Sequence, residues 1–141
     1  MKPKKIYSKL IPAKGYISIL ILWWMVIREE YRDSAPWFTE IHESIHLHQE
    51  VEMLVIGALL AVALAFFGCG WWSLTALLLF YIWYVAEFTV KLFITRSWRR
   101  AYLSVSLEQE AFRNHFDRAY LERRHTLAWL MFLFKLNNKD I

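Results

Sequence analysis

The chain has 141 residues, 57% of them hydrophobic and 18% aromatic, with eight Trp and a net charge of +4. That length suits one domain rather than two independent cores, and the apolar and Trp content exceeds that of ordinary soluble domains. Cys69 is the only cysteine, which excludes an intramolecular disulfide and a cysteine zinc site. The cations flank apolar segments, so headgroup attraction accounts for them and no nucleic acid is expected as a partner.

Residues 1–14 form a basic arm with Lys2, Lys4, Lys5, Lys9 and Lys14. On anionic headgroups each cation contributes up to about 1 kcal/mol. The apolar run 16–27 is followed by Arg28-Glu29-Glu30 instead of a small-residue cleavage site, so a cleaved signal peptide is not expected. As a helix this run rises only about 18 Å, too short for a hydrocarbon core of about 30 Å. Its Ile, Val, Trp and Tyr content suits one or two strands within a β element at 15–33, with a reentrant or interfacial helix as the alternative. A free strand edge there has a use, because it can hold an extended peptide by main-chain hydrogen bonds.

Ser34-Ala35-Pro36-Trp37 predicts a turn into a helix with Thr39 as its N-cap. From 53 to 86 there is no Asp, Glu, Lys or Arg, and the stretch is broken once, at Gly68-Cys69-Gly70. Each half, with its flanks, reaches the roughly 17–25 residues that a span needs. The expectation is a transmembrane helical hairpin, 51–67 and 71–90, within a region 38–90 that begins with the preceding helix. Lys91, Arg96, Arg99 and Arg100 follow it, Arg28 and Arg32 precede it, and its turn has no cation. The positive-inside rule then puts both termini on the cytoplasmic side. Residues 98–141 are expected to be cytoplasmic helices, in which the short apolar run 127–134 lies in the interface or packs against the hairpin. The fold class expected is mainly α, a single membrane domain over 1–141.

The helix after the turn carries His42-Glu43-Ser44-Ile45-His46. Residues i and i+4 share a helix face, so both imidazoles can reach one metal ion, and Glu43 is placed to take a proton from its water. A zinc hydrolase needs a third protein ligand and an open position. Glu108 is the first choice, with Glu110 as the alternative and His48, Glu50 and His115 as remoter ones. The expected cofactor is one Zn2+ per chain, and zinc lowers the pKa of a bound water toward about 7. Gln49 and Glu50 share the metal-side face as possible hydrogen-bond partners of the ligands. Tyr102, His115 and His125 are candidate donors to an oxyanion. Glu52 and Glu87, at the span ends, are expected to be interfacial charges, and His48 to face headgroups or a neighbouring helix.

Glu108 and Ala111 form an ExxA pattern, and with HExxH upstream the chain resembles the glutamate-zincin metallopeptidases, above all the integral-membrane CAAX-type and heat-shock-type enzymes. Those place a transmembrane hairpin between HExxH and an ExxAD segment. Here Phe112 stands where that family has Asp. The segments His42-Glu43-Ser44-Ile45-His46-Leu47-His48-Gln49 and Leu107-Glu108-Gln109-Glu110-Ala111-Phe112 also resemble a group of small bacterial membrane proteins. The resemblance implies a zinc peptidase in the bacterial inner membrane, its active site on the cytoplasmic side, acting on a peptide or membrane-protein substrate. It implies no oligomeric state.

Two other readings compete. Glu43-x-x-His46 and Glu122-x-x-His125 are both ExxH, the pattern of a di-iron carboxylate oxidase. A non-catalytic membrane anchor would need no metal at all.

Overall fold

The computed structural model describes residues 1–137, and the last four residues of the expected C-terminal helical region, 138–141, lie outside them. The chain is mainly helical, at 61% helix, with a small three-stranded sheet. Its residues cluster into two compact units, 1–48 with 110–125 and 49–109 with 126 onward.

In the first unit, strands β1 (Lys4–Ser8), β2 (Ser18–Ile21) and β3 (Trp24–Arg28) form a sheet in the order β1-β3-β2. β1 runs parallel to β3, and β2 pairs with it antiparallel, with Ser18 opposite Ile27 and Ile21 opposite Trp24. The expected β element is therefore a hairpin, and its two-residue loop begins at Leu22 with φ 54°. Tight hairpin loops require such positive φ values. Side chains alternate along β3, burying Met25 and Ile27. The basic arm departs from expectation. Residues 4–8, Lys-Lys-Ile-Tyr-Ser, add a third strand to the sheet. Lys2 and Lys5 pair with Glu40 at 3.0 and 2.7 Å.

Helix α1 (Trp37–Phe66) runs unbroken through the HExxH segment into the first apolar stretch, as expected. It starts directly after Pro36, whose missing N–H suits a helix start. Thr39 therefore lies in the first turn, where its N–H donates to the Pro36 carbonyl, and is not the N-cap. The helix ends in a Schellman motif: Gly68, at φ 80°, donates to the Ala65 carbonyl and Cys69 to the Leu64 carbonyl.

The second unit contains the rest of α1 from residue 49. A 3₁₀ segment (Gly70–Leu78) follows the turn and leads into α2 (Leu79–Thr95), so the second arm of the hairpin is helical throughout but α-helical only in its later part. Gly57 of α1 faces the 3₁₀ segment closely, since a Cβ there would stand 2.1 Å from the Ala76 carbonyl oxygen. Helices α3 (Trp98–Ser104) and α4 (Ser106–Asn114) follow, and a short α5 (Tyr120–Arg123) lies in the first unit. Ser97 caps α3 by accepting from the Arg100 N–H. The core of the second unit is Met53, Phe80, Val105, Leu107 and Trp129, ringed by Tyr81, Trp83, Tyr84 and Phe88. Trp129 comes from a 3₁₀ turn (Ala128–Phe132) within the apolar run 127–134; Ala128, Trp129 and Phe132 are buried in this unit, while Leu130, Met131 and Phe134 are exposed. Trp37–Phe66 and Gly70–Thr95 are long and apolar enough to cross a membrane.

Candidate metal centre

His42, His46 and Glu108 form a buried group that could hold a metal ion, their ligand atoms all within 4.8 Å of one another. The helical spacing of i and i+4 brings the two imidazoles together, with Nε2 of His42 and Nε2 of His46 3.1 Å apart. Two nitrogens at about 2.0–2.1 Å from one tetrahedral zinc would be separated by little more than that. Two imidazoles and one carboxylate, with no thiolate, suit a catalytic zinc site, although other divalent metals accept the same donors. Among the described residues this is the group of three or more His, Cys, Asp or Glu with such geometry.

Two of the three side chains, His42 and Glu108, are met by neighbours outside the group. Nδ1 of His42 lies 3.4 Å from Nδ1 of His115, so Nε2 is the nitrogen turned toward His46. Phe112 and His115 lie edge-on or tilted against the His42 ring, and Phe38 and Phe116 close over His115. Burial among these rings, and then the charge of His42, pushes the His115 imidazole down to about 4. The two Nδ1 atoms stand within reach of one shared proton, an arrangement that leaves Nε2 of His42 toward the group. Phe112 supplies ring packing on His42.

On the glutamate side, Tyr84 Oη donates to Glu108 Oε1 at 2.9 Å. Gln49, fully buried, donates to the Leu107 carbonyl at 3.1 Å and so holds the backbone beside that ligand. Its expected place near the metal is thus a backbone brace. Glu50 Oε1 accepts from Tyr81 at 2.8 Å. Glu110 faces elsewhere: it is fully buried and accepts from Arg124 Nε at 2.5 Å and from Tyr120 Oη at 2.9 Å. That pairing leaves Glu108, and not Glu110, in the group.

Glu43 is buried and its Oε1 accepts a 2.5 Å hydrogen bond from Ser18 Oγ, on the first residue of β2. Nothing in the sequence marked Ser18 beyond its place at the head of an alternating run. His48 lies outside the group, with Nδ1 2.8 Å from the Ser44 carbonyl of its own helix. Tyr102 is half-buried on α3 and also outside it, while His125 and Glu122 are exposed. The second ExxH of the di-iron reading therefore does not join the first. Glu87, expected to be an interfacial charge, is buried and bonded to Ser106. Tyr84, Glu87 and Lys91 follow one face of α2 at i, i+3 and i+7, and that polar stripe in an apolar span was the sequence signal for Tyr84. No protein-family model, no curated protein and no solved structure matches the chain.

Proposed function

We propose that the chain is a small integral-membrane zinc metallopeptidase of the glutamate-zincin type. It cleaves a peptide or a membrane-protein segment from the cytoplasmic face of a bacterial inner membrane. The observation that carries this reading is the buried group of His42, His46 and Glu108 with Glu43 of the same HExxH motif next in sequence to His42. A second support is β2, an edge strand of the sheet whose Ser18 touches Glu43. An edge strand beside a catalytic carboxylate suits a substrate in extended form. The membrane reading draws on the two long apolar helices, whose side chains such as Leu59, Val62, Val85 and Phe93 are exposed along their length. In water such surface would be costly, and in lipid it is matched. The orientation draws on the cations outside the hairpin and their absence from its turn.

His42, His46 and Glu108 would hold the ion, and zinc bound there supplies polarisation of the substrate carbonyl and acidification of a water. Ser18 occupies Oε1 of Glu43, so Oε2 is the oxygen that takes the water's proton. The water oxygen bonds to the carbonyl carbon, the C–N bond breaks, and Glu43 returns the proton to the leaving amine. The second proton of the water, left on the new carboxyl group, passes to the amine as the products part, so they leave as a carboxylate and an ammonium. His115 and Tyr84 hold the ligands in place while charge moves.

The test is metal content by mass spectrometry on detergent-purified wild type, His46→Ala and Glu108→Ala, followed by a peptide-library cleavage screen with Glu43→Gln as control. The expected result is about one zinc per wild-type chain, its loss in both ligand variants, and cleavage that Glu43→Gln abolishes. A metal-free wild type, or cleavage indifferent to Glu43, would overturn the proposal.

A further inference from the structure

Helix α2 carries a buried carboxylate and a buried ammonium, Glu87 and Lys91, at 8% and 5% exposure in an otherwise apolar candidate span. Charges in such a setting are expensive unless every partner is present, and they are retained where they do something. Here both charged groups are hydrogen-bonded. Glu87 Oε1 accepts from the Ser106 N–H at 2.9 Å and Oε2 from Ser106 Oγ at 2.6 Å. Lys91 Nζ lies 3.8 Å from Glu87 and donates to the carbonyls of Leu133 and Lys135 at 2.8 and 2.9 Å. The Lys135 carbonyl also accepts from Gln109 Nε2 at 2.9 Å, and the same amide nitrogen reaches the Ser104 carbonyl at 2.8 Å. The polar circuit closes on itself: α2, the start of α4, the C-terminal segment, and back to α2.

Ser106 is the first residue of α4, and Glu108 and Gln109 follow it in the same first turn. The circuit therefore grips the turn of helix that carries the proposed third metal ligand from both sides, at Ser106 and at Gln109. One turn earlier on the same face of α2, Tyr84 holds the Glu108 carboxylate itself. We infer that Glu87 is a positioning residue for the metal centre. With Lys91 and the carbonyls of Leu133 and Lys135, it fixes the first turn of α4 so that Glu108 is presented to the ion. The segment 133–135 is then a clamp on that turn. This inference rests on the metal-centre reading above, because it assigns Glu87 to the placement of Glu108.

The experiment measures zinc affinity, by competition with a chromophoric chelator, and the visible spectrum of the cobalt-loaded protein, on the full chain in detergent. Wild type, Glu108→Ala, Glu87→Ala, Glu87→Gln and Ser106→Ala are compared, each with its thermal unfolding recorded in chelator. The expected result is a zinc affinity about 10–100-fold weaker in Glu87→Ala, the range for partners that orient a ligand. Its cobalt spectrum should move toward that of Glu108→Ala. Glu87→Gln keeps one acceptor for the Ser106 N–H and should fall between Glu87→Ala and wild type. Ser106→Ala removes a single hydroxyl and carries the test if Glu87→Ala does not fold, with an expected loss of several-fold. Glu108-dependent zinc binding that these substitutions leave at wild-type strength and spectrum would overturn the inference while leaving the metal centre standing. A wild type that binds no metal, or binds it equally without Glu108, overturns the metal centre and the inference with it.

Discussion

On the proposed reading, Glu43 is the residue that separates binding from chemistry. It follows His42 in sequence, and its Oε1 is held at 2.5 Å by Ser18. Glu43→Gln is isosteric and keeps an acceptor for Ser18, so it should retain zinc while lowering peptide cleavage by about 10²–10⁴-fold, the usual contribution of a general base. Metal content and single-turnover cleavage on the same preparation check both halves. Ser18→Ala removes only the hydroxyl that orients Glu43. It should reduce cleavage by less than Glu43→Gln does and leave zinc bound, whereas equal losses in both variants would point to a proton role for Ser18 itself. Reading single residues, the sequence located His42, His46 and Glu43 because a helix puts i and i+4 on one face. It could not separate Glu108 from Glu110, since two residues apart on a helix differ by about 200° and either may face inward. Arg124 and Tyr120 take up Glu110, and Tyr84 takes up Glu108.

At the scale of elements, the close approach of α1 to the 3₁₀ segment depends on Gly57. A methyl group there would meet the Ala76 carbonyl oxygen, a backbone atom that cannot swing aside. Gly57→Ala should destabilise the fold by about 1–3 kcal/mol through overpacking, seen as a lowered midpoint in thermal or denaturant unfolding in detergent. The opposite sign is expected at the end of α2. Arg96 sits at φ 52° and closes the helix by donating to the Leu92 carbonyl. Glycine adopts that conformation without the Cβ penalty, so Arg96→Gly should stabilise by up to about 1 kcal/mol, less what glycine loses in chain entropy. An unchanged or lowered midpoint would show that the arginine side chain contributes more than its backbone costs. Both long apolar helices, the break at the glycines and the strands in 16–27 were legible from composition and breaker residues. Strand β1 was not, because Lys4 and Lys5, among the other lysines of residues 1–14, gave it the composition of a solvated arm, and only its parallel pairing with β3 makes it a strand. The 3₁₀ start of the second arm was equally hidden, since an apolar run looks the same in either helix type.

For the whole molecule, the decisive question is whether the exposed apolar faces of the two long helices meet lipid. The chain supplies its own probe, because Cys69 is its only cysteine and is exposed at the turn between the candidate spans. With both termini in the cytoplasm, a membrane-impermeant maleimide should label Cys69 in intact cells. Labelling only after the inner membrane is opened would reverse the orientation. Alkaline carbonate should leave the protein in the membrane pellet and detergent should release it, and recovery in the carbonate wash would remove the membrane assignment.

The sequence by itself determined the local patterns: a pair of histidines on one helix face beside a glutamate, two apolar stretches of spanning length, and a run of strand-favouring residues ahead of them. Each follows from a spacing of a few residues, which backbone geometry converts directly into a shared face or a crossing length. Tertiary structure alone decided which glutamate completes the group, that Ser18 meets Glu43, and that Glu87 and Lys91 are buried partners and not surface charges. These depend on contacts between residues far apart in the chain, where no local period constrains which side chains meet. A carboxylate drawn from the sequence has the same charge wherever it falls, and only packing determines whether it meets water, an arginine or a metal ion.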